Sequence, residues 1–189
     1  MDKQYINGRT EDEAWRQISA EFLLNPDPLD YCAVINVGNR KIVLEIEIEL
    51  GGGFESGYER TILSAELTTS TAFRFAIHPQ HFTDEIGKFF GMQDVEIGFP
   101  EFDKKLIVKT NDRQKLKDIF SDKSVRTAFQ TLDDFTFGVT HHRADGGDNA
   151  PFLELLINAG ITNVATLREI YDAFSSVLAL VEGSDQKTI

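Results

Sequence analysis

The 189-residue sequence contains little cysteine, little positive charge and no long apolar run. Its one cysteine, Cys32, excludes an internal disulfide and a zinc site made of several cysteines from one chain. The 31 acidic residues outnumber the 19 lysines and arginines, and a net charge of -12 opposes binding to nucleic-acid phosphates and to anionic membranes. No stretch approaches the roughly 18 apolar residues of a membrane-spanning helix. We therefore expect a cytoplasmic protein with no membrane span and no bound nucleic acid.

Two hydrophobic periodicities alternate along the chain and predict an α+β fold. Residues 10–24 repeat apolar positions at helical spacing behind a Thr10–Glu13 capping box, and Pro26 ends the pattern. Residues 30–78 alternate at period two, most clearly in KIVLEIEIEL, and predict a meander of about four antiparallel strands. The glycine-rich segment 51–57 joins two of these strands and lacks the lysine of a phosphate-binding loop, so we interpret it as a hairpin tip.

Residues 82–182 mix both periodicities. They predict a helix in HFTDEIGKFFGM, a strand in KKLIVKT, two short helices capped by Asn111 or Asp112 and by Ser121, a hairpin, and the long helix NVATLREIYDAFSSVLALV. No linker rich in Pro, Gly or Ser divides the chain. We predict one domain over residues 1–182, an antiparallel sheet of meander and C-terminal hairpin with helices mainly on one face, followed by a disordered tail at 183–189.

Phenylalanine is concentrated in the middle of the chain, where 11 of the 15 lie between Phe73 and Phe137. An aromatic core explains this concentration, and so does a pocket or patch for an apolar ligand or for a helix of a partner. The spacing alone does not separate the two explanations. We expect core positions for Phe89, Phe120, Phe129 and Phe174.

Glu101 and Asp103 are the candidate catalytic carboxylates, in the stretch GFPEFDKKL. If a strand starts near Glu101, Phe102 packs inward and the two acids share the other face. They can then act as an acid/base pair, or point to solvent and cap nearby backbone N–H groups. The sequence favours the second role.

The candidate metal ligands are His141, Asp145 and His78. His141 and His142 are adjacent on a predicted strand and point to opposite faces, so a site would need one of them together with His78 or His81 and with Asp145 or Asp148. The sequences Asp-Gly and Asn-Ala-Pro in this stretch are common in turns. We therefore favour a hairpin tip over a metal site, and we expect no cofactor.

Residues 89–112, FFGMQDVEIGFPEFDKKLIVKTND, resemble a stretch of an uncharacterised bacterial protein family. The shared pattern is a short helix, a G-x-P-E-F-D turn and a strand that ends in VK-x-ND, and it extends loosely over residues 73–157. The resemblance implies no activity, cofactor or catalytic residue. Many relatives carry membrane-spanning segments ahead of this region, whereas this sequence shows none.

Two hypotheses about function follow from the residues. The leading one is a non-enzymatic binding or interaction domain for a protein or an apolar partner. The alternative is a hydrolase-type enzyme that uses Glu101 and Asp103, with or without a metal held by the histidine pairs. A deep cleft with convergent polar groups would favour the enzyme, and the sequence leaves the partner and the oligomeric state open.

Overall fold

A computed structural model describes residues 3–52, 55–67, 72–80, 92–143 and 149–183. Within these ranges the helices are α1 Glu11–Leu24, α2 Pro100–Asp103, α3 Arg113–Ile119, α4 Lys123–Gln130 and α5 Val164–Gly183. The strands are β1 Lys3–Gly8, β2 Asp30–Val37, β3 Arg40–Gly52, β4 Glu55–Glu66, β5 Phe75–Pro79, β6 Gln93–Asp94, β7 Leu106–Thr110, β8 Phe135–Arg143 and β9 Asn149–Ile157. The expected helix at 82–91, the hairpin residues 144–148 and residues 184–189 of the expected tail lie outside the described residues. Gly183, the first residue of that expected tail, is instead the last residue of α5.

The nine described strands form one open sheet in the order β1-β2-β3-β4-β9-β8-β5-β7-β6. Neighbouring strands are antiparallel apart from β1 and β2, so the α+β class with a mostly antiparallel sheet is confirmed. One row of buried apolar side chains crosses the sheet from strand to strand through Ala33, Leu44, Leu63, Leu155, Phe137, Ile77 and Val108. Buried residues of the helices pack against this row in one core. The period-two alternation of β3 and β7 directs their apolar side chains there, whereas β2 and β5 bury consecutive residues.

The phenylalanines of the described residues form the centre of this core. Phe129 of α4 stacks on Phe137 of β8 with ring centroids 4.5 Å apart, and Phe174 of α5 contacts the same Phe137 ring at 6.0 Å. The core explanation is confirmed for Phe120, Phe129 and Phe174, which are each at most 1% exposed. Phe89 lies outside the described residues.

The expected meander is confirmed for three strands, β2 to β4, and its fourth strand is a correction. β4 pairs with β9 from Thr61 opposite Ile157 to Glu66 opposite Phe152, and β5 pairs with β8 instead of β4. The C-terminal hairpin is thus inserted between β4 and β5. The hairpin strands carry apolar side chains at alternate positions, which suits the middle of the sheet. Strands that follow each other in sequence usually lie side by side, so the sequence order did not predict this insertion.

The sequence patterns missed β1 and placed three local features incorrectly. β1 runs parallel to β2 and is connected to it through α1, but only Ile6 of the strand is buried, so its alternation is faint. Thr10 caps α1 as expected, whereas Glu13 accepts a hydrogen bond from the Arg9 N–H rather than closing the box on Thr10. Asp122, not Ser121, caps α4. A helical turn, α2, replaces the strand start expected near Glu101, because Pro100 fits the first position of a helix.

Candidate docking surface at the end of the first helix

Four exposed leucines lie at the end of α1 and beside it. The exposed fraction is 83% for Leu23, 89% for Leu24, 51% for Leu29 and 75% for Leu50. Single exposed leucines are ordinary in proteins, whereas several exposed leucines on neighbouring segments are typical of interaction sites. We call the surface formed by these four residues the leucine end.

Leu23 and Leu24 are exposed because of where α1 stops. The buried stripe of this helix is Ala14, Trp15, Ile18 and Phe22, which repeats at helical spacing. The two leucines follow Phe22 and fall off the stripe, and Pro26 and Pro28 prevent another turn that could fold over them. The last turn of α1 therefore directs two leucines to solvent.

A groove of about 590 Å³ lies on one side of the leucine end. Ser19, Phe22 and Leu23 of α1 with Pro26 after it form one wall, and Thr162 before α5 with Val164 of α5 forms the other. The Thr162 hydroxyl donates to a carboxylate oxygen of Asp27 at 3.3 Å and joins the two walls. This groove, called the Leu23 groove below, has the volume of a typical ligand or side-chain pocket.

A second groove, of about 300 Å³, lies on the other side and is lined by Leu24, Glu21, Asp30 and Tyr31. The Tyr31 hydroxyl donates to Glu21 Oε2 at 2.7 Å, and the Tyr31 ring contacts Phe22 with centroids 4.9 Å apart. Burial, followed by the hydrogen bond and the charge of Glu21, raises the pKa of Tyr31 above its ordinary value. Leu23 and Leu24 therefore form a ridge between two grooves.

Leu29 lies in the loop before β2, and the β3–β4 hairpin carries Leu50. β2 pairs with β3 only as far as Asp30 opposite Glu47, so the rest of β3 continues as a two-stranded ribbon with β4. The Ile48 N–H donates to the Leu29 carbonyl at 2.7 Å, which fixes the ribbon against the loop that carries Leu29. Leu50 lies two residues further out on the same strand face.

The charge around the two grooves is negative. Glu21 and Asp30 line the smaller groove and Asp27 lines the larger one. Glu21 and Asp27 each accept from a neutral hydroxyl, of Tyr31 and Thr162, so these contacts leave their charges uncompensated. α1 carries no basic residue in its last turn, where the helix dipole adds further negative potential.

The raised pKa of Tyr31 predicts a loss of stability in alkali. The unfolded chain releases the Tyr31 proton near pH 10, while the folded protein retains it, so the free energy of unfolding falls as the pH rises above that value. Tyr31→Phe should lower this free energy by about 1 kcal/mol at neutral pH through the lost hydrogen bond, and should flatten the alkaline decline. Tyr171, whose pKa is also raised by burial, keeps part of the decline. Urea unfolding from about pH 8 to about pH 11 measures both effects, and an unchanged alkaline slope would contradict them.

Asp103 and Glu101, the candidate catalytic carboxylates, have different surroundings. Asp103 Oδ1 accepts from the Ile97 N–H at 3.0 Å, and Asp103 Oδ2 accepts from the N–H groups of Gly98 and Phe99 at 2.9 Å. The carboxylate thus closes the loop before α2, which is the backbone-capping role favoured by the sequence. Glu101 is exposed and Phe102 is fully buried between them.

Replacing Asp103 should therefore affect stability. Asp103→Asn keeps the shape but loses the charge that three N–H groups share, and we expect it to lower the free energy of unfolding by roughly 1 kcal/mol. Glu101→Gln, two residues away and exposed, is the matched control and should change it by less than about 0.5 kcal/mol. Thermal and urea denaturation of the two variants make the comparison. Equal effects would contradict the capping role.

The structure does not bring the candidate metal ligands His78 and His141 together. β5 and β8 pair through Ile77 opposite Phe137, so His78 lies on the other face of the sheet from His141. His78 is buried, with Nδ1 3.0 Å from the Pro79 carbonyl oxygen, and His141 is exposed. His81, Asp145 and Asp148 lie outside the described residues. Within the described part of the chain, no group of three or more His, Cys, Asp or Glu side chains is placed to hold a metal ion.

Sequence patterns did not identify the leucine end. In EFLLNPDPLD the leucines look like a continuation of the apolar helix stripe. Whether Leu23 and Leu24 are buried or exposed depends on which side chains the last helical turn directs inward. The available signal was the angular position of Leu23 and Leu24, which lie beside the stripe of Ala14, Ile18 and Phe22.

Comparisons with known proteins leave the family open. Among the described residues, no helix is long and apolar enough to cross a bilayer. No family model and no curated protein matches the chain. Among solved structures it is similar to the crystal structure of the mycobacterial trehalose monomycolate transport factor A, TtfA, at 9% identity over 77% of this chain and 75% of that chain, with a TM-score of 0.40.

Proposed function

We propose that this protein is a non-enzymatic interaction domain that binds a protein partner through the leucine end. The observation that carries the proposal is the exposure of Leu23, Leu24 and Leu50 by three quarters or more. Most other apolar side chains of the described residues are buried in the core, apart from the less exposed Tyr5, Tyr58 and Leu180. An exposed ridge between two grooves is a shape that a partner can cover.

The energy available at the ridge is sufficient for specific binding. Burying one leucine fully contributes about 1.5–3 kcal/mol, so Leu23 and Leu24 together can contribute about 3–6 kcal/mol before the costs of association. The adjacent grooves allow side chains of the partner to pack around the ridge instead of resting on a flat surface. Two central residues of this kind are typical of interface hot spots.

A protein segment fits this surface better than a membrane or a second copy of the chain. The carboxylates Glu21, Asp27 and Asp30 beside the grooves would be repelled by anionic lipids. Two copies that met through this end would bring the same carboxylates together, which is unfavourable. A protein partner in the cytoplasm, the compartment expected from the composition, meets neither obstacle.

Site-specific photo-crosslinking tests the proposal. A photoreactive amino acid at position 24, in the native host, should crosslink to a partner, whereas the same amino acid at position 180 should not. Leu180 is also exposed, at 45%, but it lies near the other end of α5 from the Leu23 groove. Crosslinking from position 180 alone, or from neither position, would contradict the proposal.

Purified components then give the quantitative result. Leu23→Ser combined with Leu24→Ser should weaken binding of the crosslinked partner at least about tenfold, while Leu180→Ser leaves it unchanged. Because the two leucines are exposed, the double variant should keep its free energy of unfolding within about 0.5 kcal/mol. Unchanged affinity of the double variant would refute the docking surface.

The hydrolase-type alternative has less support from the described residues. Both carboxylate oxygens of Asp103 are occupied by backbone N–H groups. A second cluster, Glu11, Arg40 and Ser175, places the Ser175 hydroxyl 2.5 Å from a Glu11 oxygen, but Ser175 is only 2% exposed. A buried hydroxyl that already donates to a carboxylate is a structural group, so we retain the binding function.

A further inference from the structure

We infer that the partner segment is cationic: it presents apolar side chains to the leucine ridge and places lysine or arginine beside Glu21, Asp27 and Asp30. This inference rests on the proposed function and adds the chemistry of the partner to it. It is carried by the carboxylates of the two grooves, which form no ion pair within the described residues.

The three carboxylates differ from several acids of the helices and the hairpin that form ion pairs. Asp12 pairs with Arg168 at 2.9 Å, Glu11 with Arg40 at 3.6 Å, and Glu47 with Arg60 at 2.6 Å. Within the described residues, by contrast, Glu21, Asp27 and Asp30 form no ion pair. Other described acids, Glu45, Glu49 and Glu101 among them, also form no ion pair, but at the leucine end three such carboxylates border exposed leucines.

The hydrogen bonds of Glu21 and Asp27 orient these charges without cancelling them. Tyr31 holds the Glu21 carboxylate against the smaller groove, and Thr162 holds Asp27 at the wall of the larger one. Each carboxylate keeps further lone pairs for a donor of the partner. Fixed carboxylates lose less conformational entropy on binding a lysine or an arginine than mobile ones do.

The backbone at the end of α1 adds to the same field. The last-turn carbonyls of a helix carry partial negative charge, which a basic residue at this position normally offsets. α1 has three acidic residues in its first turn and no basic residue in its last turn. A cation of the partner placed over Leu24 would interact favourably with this helix end.

Two matched peptides test the inference on the whole protein. One is a fluorescent amphipathic peptide of leucine and lysine, and the other has glutamate in place of every lysine. We expect the lysine peptide to bind with a change in fluorescence anisotropy and the glutamate peptide not to bind. Leu23→Ser with Leu24→Ser should weaken the lysine peptide at least about tenfold.

Charge variants separate the inference from the proposed function. Asp27→Asn with Asp30→Asn should weaken binding of the lysine peptide by about fivefold at about 0.1 M salt. This difference in affinity should disappear at about 1 M salt. Glu96→Gln with Asp133→Asn, both exposed, makes the same change in net charge away from the grooves and should have no effect.

Each outcome decides one of the two statements. If the Asp27→Asn, Asp30→Asn variant binds the lysine peptide normally while the Leu23→Ser, Leu24→Ser variant does not, the partner is apolar but not cationic. Only the inference then fails. Equal binding of the two peptides, or none of the lysine peptide, also contradicts the inference. If the leucine variant binds normally, the docking surface itself is wrong. A dimer in light scattering that the leucine variant abolishes would make a second copy the occupant and overturn the cationic partner.

Discussion

Phe129→Ala is expected to lower the free energy of unfolding by about 3–5 kcal/mol, the largest effect of any substitution considered. Phe129 is 1% exposed and stacks on Phe137 at 4.5 Å, while Phe120 meets its ring at 5.6 Å. Removing the ring leaves a cavity between α4 and β8 that these rigid aromatic neighbours fill poorly. Urea unfolding of the purified variant measures the loss.

Phe129→Leu is the graded control for this prediction. It keeps most of the side-chain volume, and we expect it to cost about 1.5 kcal/mol or less. If Phe129→Ala were nearly neutral and some binding were lost, the residue would belong to a ligand pocket, which is the other explanation of the phenylalanine-rich region.

Gly138→Ala is expected to destabilise the protein by about 2–3 kcal/mol or more. A Cβ at position 138 would overlap the backbone carbonyl oxygen of Phe75 in the neighbouring strand β5. Because the obstacle is backbone, a rotamer change cannot relieve it, and β5 and β8 would have to move apart. Chemical denaturation measures the loss. Amide exchange is the local readout, and its acceleration should be about tenfold smaller in β2 and β3 than in β5 and β8.

Gly52→Ala is the matched control for Gly138→Ala. A Cβ at Gly52, at the end of β3, meets no atom within 4 Å. We expect its free energy of unfolding to stay within about 0.5 kcal/mol of wild type. Similar effects of the two substitutions would contradict the pairing of β5 with β8, and with it the placement of the hairpin inside the sheet.

The sequence predicted elements better than their arrangement. α5 is defined by one long apolar stripe and β3 by strict alternation, and each is found where the pattern places it. Strand order depends on which edges meet in space. The pairing of β9 with β4 rather than of β5 with β4 depends on contacts such as Gly138 against Phe75, which no local pattern contains.

The candidate sites show the same division between local and distant information. Capping by Asp103 could be predicted, because the N–H groups it binds lie four to six residues earlier in the same loop. The helix pattern holds a signal only for Leu23 and Leu24. The rest of the leucine end could not be predicted, because it joins α1, the loop before α5 and the base of the β3–β4 ribbon. Leu23 shares its groove with Thr162 and Val164, which are distant from it in sequence.

Amide hydrogen exchange of the protein, with and without the crosslinked partner, tests the docking surface most directly. The partner should slow exchange over residues 21–30 and at the start of the ribbon, 48–51, and leave a groove of about 570 Å³ between α4 and α5 unchanged. Slowed exchange confined to residues 123–131 and 169–176 of that groove, with none at 21–30, would contradict the account.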